Sequence, residues 1–399
     1  MDHTSVLSLS LMLCFGFALL LLQEVLPLKE DPEVYMNVSQ LITSKGYPCE
    51  EYTVETQDGF LLGVQRIPYG RTKAPARGPV FLQHGLLCAS TNWVTNLANE
   101  SLGFLLADQG YDVWLGNVRG NTYSRRHVKY KPSSEEFWAF SWDEMALLDL
   151  PAMIDFALQR SGHNQLYYIG HSQGTLIAFA KLSQDPTYAR KVKVMIAMGP
   201  VATVGNIKSP IRYLSYLTPE IKDLFDLFGV HAFLPSGEII HDLADIFCEP
   251  PFRFICANVI FLLSGYDVKQ LNMTRLPVYV HHAPAGTSVQ NMVHFAQMVR
   301  SGKFQRYDFG SYTENMKHYG MAEPPLFHPE NITAPVYLFW GENDWLADPK
   351  DVEQLAGQLK VLKGNYGIPE WDHLDFIWGM DAPQLVYSKV MKIMADHPL

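Results

Sequence analysis

The sequence predicts an α/β protein with a mostly parallel central sheet and a helical cap inserted late in the chain. Three observations carry this. Short apolar runs recur with helical patterns between them, the rhythm of parallel strands joined by crossover helices. One run leads into Gly170-His171-Ser172-Gln173-Gly174 and then an apolar-faced helix. The rhythm then lapses over residues 204–325, far more chain than one crossover needs.

Taken in order, residues 5–22 (SVLSLSLMLCFGFALLLL) carry no charge. They read as the apolar centre of a secretory signal peptide over residues 1–24, with a membrane anchor as the rival reading. No Lys or Arg precedes the run and no A-x-A site follows it. The rest of the chain holds no second spanning segment, so no stable transmembrane anchor is expected. Residues 33–203 read as the first part of the core. Tyr52–Thr56 and Phe60–Val64 flank Asp58-Gly59, the signature of a hairpin. Pro79–Leu82, Tyr111–Leu115, Leu166–Ile169 and Val192–Met198 follow as strands, and Pro335–Trp340 is the strand that resumes the core. Between them, residues 204–325 read as the cap with a lid over residues 206–265, and residues 326–399 as the last part of the core. Within the cap, Ile211, Leu214, Leu217, Ile221, Leu224, Phe225 and Phe228 fall at helical spacing.

Composition narrows the function. Hydrophobic residues make up 48% and charged residues 18% of the 399, a globular balance. A net charge of −10 argues against nucleic acid as a partner. There is no CxxC or HExxH pattern, so no metal site is expected. Four N-x-[ST] sequons, at Asn37, Asn99, Asn272 and Asn331, fit passage through the secretory pathway as glycosylation sites. Besides Cys14 in the signal there are Cys49, Cys88, Cys248 and Cys256. The last two lie close together in one segment and are the expected disulfide; Cys49 and Cys88 are expected to be free, buried thiols.

The Gly-flanked serine has a mechanical meaning. A sharp strand-to-helix turn crowds the backbone at both flanks, lifts the Ser172 hydroxyl off the sheet edge and points a helix N-terminus at it. Such a nucleophile needs a base, and the base needs a carboxylate to orient it. In this arrangement the acid follows the serine just past a later strand, and the histidine follows the acid. Asp344 stands after the Pro335–Trp340 run; Asp348 and Glu342 are its rivals, read as turn or cap residues. Only His373 and His397 come after Asp344. His397 is near the chain end, which leaves His373. The developing oxyanion needs backbone N–H donors. Gln173 supplies one, and Leu86 the other, with Gly85 expected to let the chain turn.

With these residues in place, the chain resembles the acid lipase family of gastric and lysosomal acid lipases. The resemblance lies in Leu82–Leu87, Asn92–Val94, Asn117–Ser124, Gly170–Gly174, Ala283–Gln290, Asn343–Asp348 and Glu370–Phe376, and runs from about Asn37 to the C-terminus. It implies an α/β-hydrolase core, a lid, and hydrolysis of neutral lipid esters (triacylglycerol, cholesteryl ester or both) at a lipid–water interface, in acid and without a cofactor. It implies Ser172, Asp344 and His373 as the triad, Leu86 and Gln173 as oxyanion donors, a Cys248–Cys256 bridge, and a secreted or lysosomal destination. Leu86, Leu87, Trp93, Trp345, Leu374 and Phe376 are expected to shield the histidine. A serine thioesterase or peptidase on the same core, and a catalytically silent binding protein, are the competing readings. The first would favour polar pockets, the second a broken triad.

Overall fold

The computed structural model describes residues 31–72, 74–216, 229–234, 248 and 253–399. The signal read over residues 1–24, the apolar positions from Leu217 to Phe228 and the Pro250-Pro251 dipeptide lie outside the described residues. Eleven strands are found among the described residues: β1 (Glu50–Glu55), β2 (Phe60–Ile67), β3 (Pro79–Gln83), β4 (Asp112–Gly116), β5 (Arg126–His127), β6 (Leu166–His171), β7 (Val192–Met198), β8 (Ala232–Phe233), β9 (Thr287–Ser288), β10 (Val336–Gly341) and β11 (Leu362–Ile368). The main sheet runs β1-β2-β4-β3-β6-β7-β10-β11, with β5 beside β2 and β8-β9 forming a separate pair. From β4 to β11 every neighbour is parallel; β1-β2 and β2-β4 are antiparallel. The hairpin turns at Asp58-Gly59 as its sequence requires.

The central strands are apolar on both faces because both faces are covered. In β3, Val80 and Leu82 join one apolar cluster and Phe81 the other; in β6, Tyr167 and Ile169 are divided from Tyr168 in the same way. Successive side chains of a strand point to opposite faces. Helices α1 (Val38–Ser44), α2 (Leu102–Asp108) and α10 (Ser388–Asp396) cover one face. Helices α3 (Leu150–Ser161), α4 (Gln173–Gln184) and α9 (Pro349–Gln358) cover the other. Strand β11 sits at the edge and alternates between half-buried and exposed residues, so its signal in the sequence is weak.

Between β7 and β10 lie a 3₁₀ turn at Pro210–Tyr216 and helices α5 (Arg253–Ser264), α6 (Leu276–His282), α7 (Val289–Ser301) and α8 (Tyr312–Tyr319). The helical spacing that starts at Ile211 therefore begins as a 3₁₀ segment. Cys248 and Cys256 are disulfide-bonded, with Cα atoms 5.0 Å apart. Cys88 is a buried free thiol, but Cys49 is only half-buried, because it precedes the edge strand β1 and not a central one. Among the described residues no helix is long and apolar enough to cross a membrane. Asn37, Asn99 and Asn331 are exposed and Asn272 is half-buried. The Asn37 side chain also caps α1 by accepting from the Gln40 N–H.

Candidate active site

The turn after β6 is tighter than the sequence suggested. The strand runs through His171 and α4 begins at Gln173, so Ser172 alone makes the turn, at φ 54° and ψ −120°. A non-glycine residue pays strain for that conformation. The flanking glycines make it possible by close approach: a Cβ on Gly174 would lie 2.3 Å from the Gln83 carbonyl oxygen, and one on Gly170 would lie 2.8 Å from Gly174. The Ser172 N–H is itself used, donating to the Met198 carbonyl on β7.

Asp344 lies just past β10 and is fully buried. Its Oδ1 accepts the N–H groups of Leu346 and Ala347, each at 2.8 Å. Its Oδ2 lies 2.8 Å from His373 Nδ1. A carboxylate can only accept, so Nδ1 carries the hydrogen and Nε2 keeps its lone pair. Nε2 has no partner among the described residues, and His373 lines the same cavity as Ser172. That is the arrangement in which an imidazole can take a proton from a hydroxyl.

The loop after β3 is held by His84. Val118 donates its N–H to His84 Nε2 at 3.3 Å, and Nδ1 lies 2.8 Å from the Gly85 carbonyl oxygen. Nδ1 is therefore the donor, and it pins that carbonyl. In a trans peptide the N–H of the next residue points the opposite way, which turns the Leu86 N–H away from His84. Gly85 serves differently from expectation. The left-handed residue is Leu87, at φ 58°, while Gly85 is needed because a Cβ there would lie 2.9 Å from Ser172 Cβ. Gln173 opens α4, where N–H groups have no intrahelical acceptor. Its side chain is fixed by Asn291 Nδ2, which donates to Oε1 at 2.9 Å.

The cavity has a volume of about 140 Å³ and is mostly apolar. Leu86, Leu87 and Leu374 line it as expected, together with Ile207, Ile211 and Leu346. Met292, Phe295, Ala296 and Val299 face it from α7, at helical spacing. Trp93 and Phe376 are instead packed in the core, and Trp345 meets Tyr266 of the cap. Nor does α5 turn its apolar side toward the serine. Among the described side chains none from α5 lines the cavity, while Phe254, Ile255, Val259, Leu262 and Leu263 are exposed.

Residues 38–97 match the family described as a partial alpha/beta-hydrolase lipase region, and residues 78–236 match the alpha/beta hydrolase fold. The chain is 50% identical over 371 residues to human lysosomal acid lipase/cholesteryl ester hydrolase, covering 92% of each. It is 49% identical over 370 residues to rat gastric triacylglycerol lipase, covering 92% of this chain and 93% of that one. The chain belongs to the acid-lipase branch of the α/β-hydrolase superfamily. A soluble variant of monoglyceride lipase from Saccharomyces cerevisiae shares the fold, with a TM-score of 0.52 at 17% identity over 89% of this chain and 99% of that one.

In this acid-lipase chain the rival residues have other work. Asp348 caps α9, accepting from the Lys350 N–H at 2.9 Å, and pairs with Lys208. Glu342 is exposed. His397 bonds to the Ile393 carbonyl and reaches Tyr337, at the opposite end of the strands from Ser172. Sequence reasoning missed His171. Its Nε2 donates to the His373 carbonyl at 2.9 Å, and burial, then the charge of His373, pushes it down to about 3. It stays neutral and steadies the base loop. Its place inside the serine pentapeptide was the available signal. The α7 stripe was also legible, as apolar residues at i, i+3, i+4 and i+7.

Proposed function

We propose that this protein hydrolyses neutral lipid esters, triacylglycerol or cholesteryl ester, through Ser172, His373 and Asp344. His373 takes the Ser172 proton as Oγ attacks the ester carbonyl, and the N–H groups of Leu86 and Gln173 hold the oxyanion. The alcohol leaves with a proton from the imidazolium. A water activated by His373 then releases the fatty acid and restores the serine. Residues 204–325 form the cap, with the lid in residues 206–265, between core parts 33–203 and 326–399. The substrate is met at a lipid–water interface in an acidic lysosomal or secreted setting. Residues 1–24 act as the signal, and Asn37, Asn99, Asn272 and Asn331 carry glycans.

The observation that carries this reading is the His373–Asp344 contact beside an apolar cavity that Ser172 also lines. The apolar lining favours acyl chains over peptide. The names of the two relatives above give the ester classes to try. Ser172→Ala should lower hydrolysis of both by about 10⁶-fold, because triad members act as a unit, and should abolish labelling by a fluorophosphonate. Turnover of triacylglycerol against cholesteryl ester across pH assigns the preferred substrate. Hydrolysis that survives Ser172→Ala would sink the assignment.

A further inference from the structure

Helix α5 ends where the acid and base loops meet. Ser264, its last residue, is 1% exposed. The Ser264 carbonyl accepts the Trp345 N–H at 3.0 Å and the His373 N–H at 3.5 Å. One cap atom thus touches both the loop of Asp344 and the loop of His373. Next to it Gly265 has φ 125°, and a Cβ there would lie 2.2 Å from the Asn343 carbonyl oxygen and 2.9 Å from Asp372 Cβ. Only a glycine fits, and the cap chain is wedged between the two loops.

The Ser264 hydroxyl adds a condition on a proton. Its Oγ is 2.9 Å from the Ile260 carbonyl and 3.0 Å from Asp372 Oδ2. A hydroxyl has one hydrogen, so beside an ionised Asp372 it satisfies only one of the two. With Asp372 protonated, the carboxyl donates to Oγ, Oγ donates to Ile260, and both contacts close. Oδ1 is occupied by the Leu374 N–H at 2.7 Å, which leaves Oδ2 to carry the proton. The groups facing Asp372 are Asp344 on the acid loop and His373 and Asp375 on its own loop; Asp375 is in turn faced by Asp267 on the cap. The exposed pair Lys269–Glu370 closes the rim at 2.9 Å. Burial first, helped by the neighbouring Asp344, pushes the Asp372 carboxyl up to about 7, outweighing the Leu374 N–H and the Ser264 hydroxyl, which pull it down.

We propose that Ser264 and a protonated Asp372 form a clamp through which the cap holds the Asp344 and His373 loops in place, tight in acid and looser toward neutrality. Both are positioning residues, and the proposal rests on the triad assigned above.

The test uses the full chain and a soluble short-chain ester, so that binding to a lipid surface plays no part. kcat and KM are measured from about pH 4.5 to about pH 8.5 for wild type, Ser264→Ala and Asp372→Asn. Ser264→Ala should lose about tenfold in kcat in acid with KM unchanged, since small misplacements of reacting groups cost up to about 100-fold. Asp372→Asn can donate to Oγ at any pH. It should keep its kcat in acid and move the alkaline limb upward by about one pH unit or more. A residue that merely supports the fold would not give these opposite signs. Wild-type behaviour in both variants would overturn the clamp. Should Ser264→Ala fail to fold by near-UV circular dichroism, the Asp372→Asn profile decides alone. Fluorophosphonate labelling of wild-type Ser172 separates the two ideas. Labelled, active protein with unshifted variants removes the clamp only; unlabelled, inactive protein removes the triad and the clamp with it.

Discussion

The loops beyond β10 and β11 touch the cap helix α5 at Ser264, yet the two regions treat polarity in opposite ways. In the loops, charged groups are buried and held: both oxygens of Asp344 are engaged, and His373 is fixed by Asp344 and by His171 beneath it. In α5, five large apolar side chains face solvent. Charge developing in a reaction is best met by dipoles fixed in advance in a water-poor site. A lipid surface offers no directional partner, so it is met by apolar area. On the function proposed above, the chemistry falls to the buried polar groups, and contact with the substrate phase to the exposed apolar ones.

The largest expected effect breaks the buried side. Asp344→Asn should lower kcat by about 10⁴-fold, because an amide no longer holds His373 in the productive tautomer. Asp348→Asn should leave kcat nearly intact. Equal losses in the two variants would remove the distinction between an orienting acid and a helix cap. A smaller effect is expected from the exposed side. Replacing Phe254, Val259 and Leu262 together by Ser should lower hydrolysis of emulsified triacylglycerol by at least about tenfold, since about 60 Å² of lost apolar contact already accounts for that much. Soluble ester turnover should be unchanged. Losses on both substrates would show that α5 serves the chemistry and not the surface.

The smallest effect concerns stability and pH. Burial, before their neighbours' charges, pushes Asp143 and Asp372 up to about 7. Each holds its proton more tightly folded than unfolded, so each loses stability as pH rises from about 4 to about 7. Burial pushes His171 and His84 down, to about 3 and about 4. Their contribution is full above about 6.5 and is lost as pH falls. The two sets offset each other between about pH 4 and about pH 6.5, and above that the carboxyls act alone. Tm should therefore change little over the lower window and fall as pH passes through about 7. A Tm that rises through neutrality would contradict the raised carboxyls.

Most of the core was legible because parallel strands buried on both faces leave unbroken apolar runs, as in β3, β6 and β7. The two-residue strands β5, β8 and β9 are too short to carry a pattern, and β11 hid behind its exposed edge. At the site, the order serine, acid, histidine narrowed the candidates before any geometry was known. It could not show that Gly85 clears Ser172 while Leu87 takes the left-handed turn, since both depend on a strand pairing across the sheet. Nor could it show which way α5 faces. An apolar run reads alike whether it turns inward to a cavity or outward to lipid. His84 and His171 were visible as letters, but their roles rest on carbonyls far away in sequence or on the orientation of a single peptide plane.

Strand β10 pairs with β7, although residues 199–335 separate them. Closing so long a loop costs about 2 kcal/mol more than closing one of ten residues, and nothing is gained until the two strands meet. Over that interval the folding chain carries an unpaired β7 edge, Val192–Met198, whose side chains are almost all apolar. Such an edge is a template for pairing with another chain, and slow non-local pairing prolongs its exposure. The late insertion that shelters the serine in the finished molecule therefore makes refolding concentration-sensitive, and yield should rise on dilution.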